Sequence, residues 1–405
     1  MVVEQAQGQR MNVLILSNKS PFPPNDGSSL AVESMVRGFV DRGLRVGILA
    51  MNTSKHRKFE RDIPEDLIGK ISLRLVEVDN KPTLLGGLVN LLFSRDSYVV
   101  TRFDSLAYAH ALENWLQEDQ FHFVQIEGLS LAHYLPIVRK YHFGPAIMRS
   151  HNVEHLIWSR TAMYEANPLK RWYLRLQADR LKSFELEAMA KFNAVVPITS
   201  TDTAAFKSLG LQLPMQTAFC GVEVPEKPQQ LLNSTPDFFF VGAFDWLPNL
   251  QGMQWLLKEV WPKILHAIPN AQLHVLRRHC PDSFKQHRGV QVHSDRSIAR
   301  SFFEEHHILL VPLRSGSGLR IKIVEAMSLG KAVVSTYIGA EGIHGESGTH
   351  FYVDDDPNVF AEKAILLAQD AQLRAYIAGN AHTFALKHFD REAISTTLLN
   401  FYQSL

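Results

Sequence analysis

Short apolar runs alternate with amphipathic segments along most of the chain. The first run, Met11 to Ser17, precedes a polar loop and then an apolar stripe of helical spacing from about Ser29 to Arg42, which Gly43 ends. Further runs have the length of buried strands; they are Arg45 to Met51, Ile71 to Val78, His122 to Ile126, Pro145 to Arg149 and Ala194 to Ile198. Strands that alternate with helices predict a parallel, doubly wound α/β sheet.

The same alternation begins again after a break in composition. Residues 221–236 are rich in Pro, Gln and Ser and lack an apolar period, which is typical of a linker. Beyond it the strand-like runs are Asp237 to Val241, Leu273 to Leu276, Gln291 to His293, Ile308 to Pro312 and Ala332 to Ser335. We therefore expect two Rossmann-like domains, residues 11–220 and 237–387. A disordered tail at 1–10 precedes them, and a helix at about 388–405 is expected to pack back on the first domain.

Composition adds a few bounds. A chain of 405 residues with 46% hydrophobic content can fill two cores. Its formal net charge of +1 argues against an ordinary basic nucleic-acid binder. Cys220 and Cys280 form neither a metal-ligand spacing nor a disulfide framework, and no apolar run approaches the roughly 18 residues of a membrane span. These features predict a cytoplasmic protein.

The segment from Arg314 to Thr336 carries the most informative chemistry. An apolar run at 307–313 leads into the turn Gly316-Ser317-Gly318, and a helix is predicted to follow with Leu319, Ile323, Ala326 and Met327 on one face. Backbone N–H groups and the positive end of the dipole at such a helix start favour a phosphate, and glycines allow close approach. Arg320 and Lys322 add charge there. The alternative is a purely structural turn.

Glu325 lies about a turn and a half inside this predicted helix, too far from the first-turn amides to cap them. A carboxylate at that distance can accept two hydrogen bonds from a ribose diol. Phosphate and ribose together predict a nucleotide ligand.

This segment resembles the donor site of the family 4 retaining glycosyltransferases, in which a Glu-x7-Glu motif opens a helix and a Gly-x-Pro/Ala-Val-Val strand follows. Glu325 matches the second Glu, and Gly330-Lys-Ala-Val-Val matches the strand. Ser317 holds the place of the first Glu, which in the family lies against the transferred sugar. The resemblance covers nearly the whole chain. It implies the GT-B fold, two Rossmann-like domains facing a cleft.

The resemblance also implies a set of donor contacts. Residues 240–249 match a loop in which most members carry an arginine and a lysine for the pyrophosphate, but here the loop has no basic residue. A subgroup with Gly-x-x-x-Trp-x-Pro-Asn and Gly-Ser-Gly-x-Arg-x-Lys loops is the better match. Arg320 and Lys322 are therefore expected to take over the phosphate charge, although residues two apart on a helix do not share a face. The remaining expected donor contacts are Gly27, Gly242, Ser317, Gly318, Leu319 and Glu325.

Three further positions have two interpretations each. His151 follows a predicted strand, and the resemblance implies that it lies near the anomeric carbon; the alternative is that it caps the next helix. Gly27 matches the first glycine loop of the family, or it is a plain Pro-Asn-Asp-Gly turn. The pair at 277–278, two arginines, either reaches the pyrophosphate or ends a solvated strand.

Metal ligation is not indicated by local spacing. The acidic run at 354–356 precedes Pro357 and a helical pattern, so it is interpreted as a helix cap. The 18 histidines show neither His-x3-His nor Cys-x2-Cys spacing. We expect no metal site, no metal dependence and no cofactor, with a nucleotide diphosphate sugar as substrate.

A basic stretch between Arg139 and Lys182 interleaves aromatic residues such as Trp158 and Trp172. Such a surface could rest on an anionic membrane at its cytoplasmic side, which would favour a lipid-linked glycan as acceptor. The alternative is a solvated helix whose aromatic residues pack inside the first domain.

The sequence as a whole predicts a GT-B glycosyltransferase that moves a sugar to an acceptor hydroxyl with retention, in polysaccharide or glycolipid synthesis. One alternative is a non-catalytic partner subunit, which the serine at 317 supports. Another is a nucleotide-sugar 2-epimerase on the same fold. An NAD-dependent enzyme is disfavoured because the sequence after Leu16 lacks Gly-x-Gly-x-x-Gly.

Overall fold

The computed structural model describes residues 11–24, 26–54, 57–228, 237–244, 246–278, 281–293, 299–316 and 318–405. The predicted tail at 1–10 and residues 229–236 of the predicted linker lie outside these ranges. The chain divides into two compact units, one running to Gly221 and including Arg391–Leu405, the other Val222–Asp390.

The first unit is built on a six-stranded parallel sheet of order β3-β2-β1-β4-β5-β6. Its strands are β1 (Asn12–Ser17), β2 (Arg45–Asn52), β3 (Ile71–Glu77), β4 (Phe123–Glu127), β5 (Ala146–Ser150) and β6 (Ala194–Pro197). Its helices are α1 (Gly27–Asp41), α2 (Leu84–Phe93), α3 (Tyr98–Thr101), α4 (Leu106–Glu118), α5 (Leu135–Tyr141), α6 (Glu154–Tyr164), α7 (Pro168–Met189) and α8 (Ser200–Ser208).

The second unit repeats this plan with a sheet of order β12-β11-β10-β7-β8-β9. Its strands are β7 (Phe238–Ala243), β8 (Leu273–Arg278), β9 (Val290–His293), β10 (Ile308–Val311), β11 (Ala332–Ser335) and β12 (Tyr352–Val353). Its helices are α9 (Leu247–Trp255), α10 (Trp261–Ala267), α11 (Ala299–Glu305), α12 (Ile321–Ser328), α13 (Pro357–Gln369) and α14 (Ala371–Phe389). The last helix, α15 (Arg391–Gln403), returns to the first unit.

The strand sequences explain why these sheets are buried on both faces. In β1, Val13 and Ile15 pack into one hydrophobic cluster, whereas Leu14 and Leu16 pack into another on the opposite face. All four side chains are fully buried. A parallel sheet covered by helices on both sides needs such a continuous apolar run rather than an alternating one. The predicted doubly wound α/β architecture is confirmed.

Each of the eleven predicted strands overlaps an observed strand. The two-residue strand β12 was not predicted, because two residues cannot establish a period. The helix predicted from Ser29 begins two residues earlier, at Gly27, because Asp26 caps it. Over the described part of the chain, no helix combines the length and the apolar character needed to cross a bilayer.

Each sheet has a point at which the chain order reverses. In the first sheet β1 lies between β2 and β4, and in the second β7 lies between β8 and β10. The loops that leave neighbouring strands in opposite directions open a crevice at the carboxyl ends of those strands. In the second unit, these are the loops after β7 and β10.

Candidate functional site

At this switch point a lysine joins α12, the helix after β10, to α9, the helix after β7. Lys322 Nζ donates to Asn249 Oδ1 at 3.1 Å and lies 4.5 Å from the centroid of the Phe240 ring. Asn249 is buried, and its Nδ2 donates to the Ala243 carbonyl at 2.8 Å. A Cβ on Gly242 would lie 2.8 Å from that Nδ2. Glycine at 242 is therefore needed for Asn249 to hold both the loop and Lys322.

Arg320 is the N-cap residue of α12, and its side chain makes no capping hydrogen bond. The side chain is buried, its Nη1 donates to the Gly318 carbonyl at 2.8 Å, and its Cζ lies 5.4 Å from the centroid of a Trp246 ring. Gly316 and Gly318 have φ of 107° and 82°, which glycine adopts readily. A Cβ on Gly316 would also lie 3.2 Å from Trp246. Glycine at these two positions therefore allows the backbone to lie close to the Arg320 guanidinium and the Trp246 indole.

The predicted start of the helix was wrong by two residues. The sequence placed it at the glycine turn, but α12 begins at Ile321, and the buried Leu319 precedes it. Arg320 is therefore outside the helix, so the rule that residues two apart face different directions does not apply to it. Arg320 contacts Trp246 at the end of the loop after β7, and Lys322 contacts Asn249 in the first turn of α9. Ser317 lies outside the described residues.

Burial shifts the pKa of both charged side chains on α12 in the direction that favours their neutral forms. The pKa of Lys322 falls from 10.5 to about 7 because of burial and of the neighbouring Arg320 charge, which Glu325 opposes. Burial likewise raises the pKa of Glu325 from 4.5 to about 7 against the attraction of Arg300 and Lys322. Burial removes water from both charged groups, and the neighbouring charges compensate only in part for the hydration free energy that is lost. Such a site gains free energy from a ligand that supplies negative charge near Lys322 and hydrogen-bond donors near Glu325.

In the first unit, His151 directly follows β5 and contacts a buried carboxylate. Its Nε2 lies 2.5 Å from Glu127 Oε2, at the end of the adjacent strand β4. Arg149 is also buried, with Nη1 3.4 Å from the same oxygen, and Gln125 donates to Glu127 Oε1. Burial alone would raise the pKa of Glu127, but the Arg149 charge and the hydrogen bond with His151 outweigh it and hold that pKa below its usual value. An ionised carboxylate therefore orients the imidazole of His151.

Glu127 was not among the residues predicted from the sequence. What marks it there is its position as an acidic residue at the end of the strand-like run Phe123-Val-Gln-Ile-Glu127, which is an unusual place for a charge. The alternative role proposed for His151 as a helix cap is wrong, because α6 is capped at Val153 with no side-chain hydrogen bond. Instead, Glu185 accepts from the Glu154 backbone N–H at 2.9 Å.

Other predicted positions have simpler surroundings. Gly27 is the first residue of α1, after Asp26, whose side chain accepts from the Ser29 N–H and pairs with Lys19 Nζ at 2.7 Å. Neither the glycine loop nor the plain turn predicted around Gly27 included the helix cap that Asp26 forms. Asp356 caps α13 by accepting from two backbone N–H groups, as predicted. The arginines at 277–278 end β8, and their side chains lie outside the described part of the structure.

The basic stretch of the sequence is divided between core and surface. Trp158 packs against the core of the first unit, and Leu174 is buried. Leu169 and Trp172 are exposed instead, by 78% and 56%. Neither of the two interpretations offered for this stretch therefore holds for all of its apolar residues.

Comparison with known proteins places these sites in context. Residues 235–370 match the family described as Glycosyl transferases group 1. An uncharacterized 44.6 kDa protein in the cps region of Klebsiella pneumoniae is 23% identical over 265 residues, covering 62% of this chain and 67% of that protein.

Solved structures match over nearly the full length. Anabaena Alr3699/HepE in complex with UDP-glucose has a TM-score of 0.66 at 15% identity, covering 98% of this chain and 100% of that one. Sucrose-phosphate synthase from Thermosynechococcus elongatus has a TM-score of 0.70 at 13% identity, covering 98% and 99%. At these identities the likeness shows the fold, which is GT-B. The fold and the family match together support a GT-B glycosyltransferase.

We predict that Glu325→Gln stabilises the protein at pH 8 by about 1 to 3 kcal/mol, the range that a pKa raised by this much allows. Between pH 4.5 and 7 the folded state binds more protons at Glu325 than the unfolded state does, so stability falls as pH rises. The gain from glutamine should therefore be near zero at pH 4.5 and complete above pH 7. Urea unfolding at pH 5 and pH 8 measures it.

The control is Glu362→Gln, at an exposed glutamate on α13. It should change the free energy of unfolding by less than about 0.5 kcal/mol at either pH. An equal effect of Glu325→Gln at both pH values, or destabilisation at pH 8, would contradict a Glu325 carboxyl whose pKa is raised by burial.

Proposed function

We propose that this protein transfers a sugar from a UDP-sugar to an acceptor hydroxyl with retention of configuration and without a metal ion, in cell-surface polysaccharide or glycolipid synthesis. The observation that carries the proposal is a pair of cations, the buried Arg320 and the part-buried Lys322, at the switch point of the second sheet and within the residues that match the family. UDP is favoured because the HepE structure contains UDP-glucose. The cps-region relative supports polysaccharide synthesis. Retention rests on the resemblance to family 4.

In this proposal the diphosphate binds beside Arg320 and Lys322. A dianionic or trianionic group there would offset the desolvation of Lys322 and raise its pKa, so that the lysine is fully charged in the complex. Backbone at Gly242, Ser317, Gly318 and Leu319 would surround the donor. Glu325 would accept hydrogen bonds from the ribose diol, and hydrogen bonds to a charged acceptor contribute roughly 1.5 to 3 kcal/mol.

The reaction breaks the bond between the anomeric carbon and the diphosphate oxygen, and the electron pair stays on UDP. The acceptor hydroxyl oxygen bonds to the anomeric carbon, and its proton is lost to the leaving diphosphate. Stabilising the departing charge by Arg320 and Lys322 would be the main source of rate enhancement. We assign His151 to the reacting sugar, with Glu127 as the residue that positions its imidazole.

Two alternative functions predict different products from a UDP-sugar. A non-catalytic partner subunit would bind UDP without breaking down UDP-sugars, whereas a 2-epimerase would give an isomerised sugar in place of a transferred one. The buried hydrogen bond between His151 and Glu127 favours a catalytic role, since a scaffold has no need for a polar pair with only 12% and 2% side-chain exposure.

The test is UDP release by the purified full-length chain from a set of UDP-sugars, with chelator present. We expect slow hydrolysis of at least one donor, because water replaces a missing acceptor. His151→Ala should lower this rate at least tenfold, since it removes a group that acts on the reacting centre. The matched control is His110→Ala, at an exposed histidine on α4, which should hydrolyse donors as the wild type does. The enzyme proposal fails if the protein binds UDP but releases none from any donor, with candidate acceptors supplied.

We further propose that the first unit rests on an anionic membrane through α2. This helix is apolar over most of its length, and its side chains are unusually exposed; they are Leu84, Leu85, Leu88, Val89, Leu92 and Phe93. Leu84 and Phe93 are 96% and 83% exposed. At ten residues α2 is too short to span a bilayer, but its apolar face suits the interfacial region.

Helix α7 contacts α2 through a basic residue. Arg180 donates to the carbonyls of Asn90 at 3.2 Å and Leu91 at 3.1 Å. Leu169 and Trp172 extend the exposed apolar surface. Residues 79–102 and 165–182 contain eight Lys or Arg against four Asp or Glu. Apolar side chains with an excess of cations match an anionic lipid surface, where a lipid-linked acceptor would be presented.

Changing Leu88 and Leu92 together to Asp should weaken binding to vesicles containing phosphatidylglycerol at least tenfold. Burying each leucine is worth about 1.5 to 3 kcal/mol, and the carboxylates repel the lipid. Ile68→Asp is the matched control, because Ile68 and Leu92 are both 65% exposed in the same unit. Cosedimentation measures the affinity. Equal binding by the double variant and the control, or equal binding to pure phosphatidylcholine, would remove the membrane proposal.

A further inference from the structure

Four histidines and one aspartate lie close together in the second unit, near the amino ends of β7, β8 and β10 and away from the loops after β7 and β10. Asp237 precedes β7, His274 is the second residue of β8, and His306 and His307 precede β10. His293 ends β9, and its ring stacks on that of His274 with the centroids 5.3 Å apart. We refer to these five residues as the histidine cluster. Their separation along the chain explains why local spacing gave no sign of them.

Three members of the cluster present ligand atoms to a common point. Asp237 Oδ2 lies 2.6 Å from His306 Nδ1 and 3.6 Å from His274 Nε2, and all three atoms lie within 4.8 Å of one another. Ligands at the usual zinc distances in a tetrahedral site are about 3.3 Å apart. Small side-chain movements would therefore bring one carboxylate oxygen and two imidazole nitrogens into coordination, with a fourth position left for water.

The second polar atoms of Asp237 and of His274 are already held by neighbours. Asp237 Oδ1 accepts from the His307 backbone N–H at 3.0 Å and lies 3.0 Å from His307 Nδ1. His274 Nδ1 lies 3.1 Å from His293 Nε2. Metal-binding imidazoles and carboxylates are commonly oriented by hydrogen bonds of this kind at their other polar atom.

Aromatic contacts fix the position of His306. Its ring centroid lies 4.2 Å from that of His274 and 4.4 Å from that of Phe302. Only 8% of the His306 side chain is exposed, so the imidazole has little freedom to turn away. The side chains of Asp237 and His274 are exposed by 18% and 14%, which leaves a route for an ion to enter.

We propose that Asp237, His274 and His306 bind a divalent transition metal ion, with Zn²⁺ as the representative of that class. The ion would join the amino ends of three neighbouring strands, β10, β7 and β8. With strands of four to six residues, the site lies roughly 15 Å along the sheet from the loops after β7 and β10. Its role is to stabilise the second unit, separate from the metal-independent transfer proposed above.

The experiment uses the untagged full-length chain after chelator treatment, titrated with Zn²⁺ by calorimetry and followed by thermal unfolding. We expect one Zn²⁺ per chain and a higher Tm with the metal. His274→Gln and His306→Gln should each lower the Zn²⁺ affinity at least tenfold. His266→Gln is the matched control, because this histidine is exposed on α10 and outside the cluster.

UDP binding by the same variants separates this site from the donor site, since His274→Gln should leave it unchanged. If His306→Gln fails to fold by circular dichroism, His274→Gln decides alone, because His274 lacks the close hydrogen bond that joins His306 to Asp237. The proposal is overturned if the wild type binds no stoichiometric Zn²⁺, or if His274→Gln binds it as tightly as His266→Gln does. Either result would identify the cluster as a hydrogen-bond network only.

Discussion

The hydrogen bond between Lys322 and Asn249 is the interaction on which the candidate site depends. It joins α12, the helix after β10, to α9, the helix after β7, and these two helices follow the strands that diverge at the switch point of the second sheet. Asn249 can take this position only because residue 242 has no side chain. The bond places a lysine where burial disfavours its charge. The fold thus maintains an electrostatic penalty that an anionic ligand would relieve, and this is the usual trade between stability and function.

The first unit also holds a charged side chain away from water, but there the buried group is an acid and it keeps its charge. There a carboxylate, Glu127, is buried at a strand end, but Arg149 and His151 keep it ionised. Removing one partner of a buried charged group leaves the other uncompensated, which makes such clusters hard to change one residue at a time. The charge of Glu127 is matched by neighbouring cations, whereas Lys322 and Glu325 have shifted pKa values that indicate incomplete matching. Lys322 is therefore the group of the two sites that gains more from the charge of an anionic ligand.

Sequence reasoning located the elements well, because buried parallel strands are continuous apolar runs that loops interrupt. It also found the segment around Arg320, since glycines followed by basic residues stand out from an apolar background. It misplaced the start of α12, because the glycine turn continues for two more residues before helical hydrogen bonds begin. That shift decides the directions in which Arg320 and Lys322 point.

Contacts between distant strands could not be predicted in this way. Glu127 and His151 are 24 residues apart, and the members of the histidine cluster come from four strand ends. Their proximity follows from strand order, which periodicity does not reveal. The exposure of α2 was missed for a related reason: an apolar run of ten residues has the same composition whether it is buried or faces a membrane.

The central claim is that a nucleotide diphosphate restores the charge of Lys322. Calorimetric titration of UDP at pH 8, repeated in buffers of different ionisation enthalpy, measures the protons taken up on binding. With a pKa of about 7 in the free protein, Lys322 is mostly neutral at pH 8, so close to one proton should be taken up per UDP bound. Lys322→Ala should take up none, and Arg320→Ala with Lys322→Ala should show no detectable binding. Tight UDP binding without proton uptake, or normal binding by the double variant, would contradict the account.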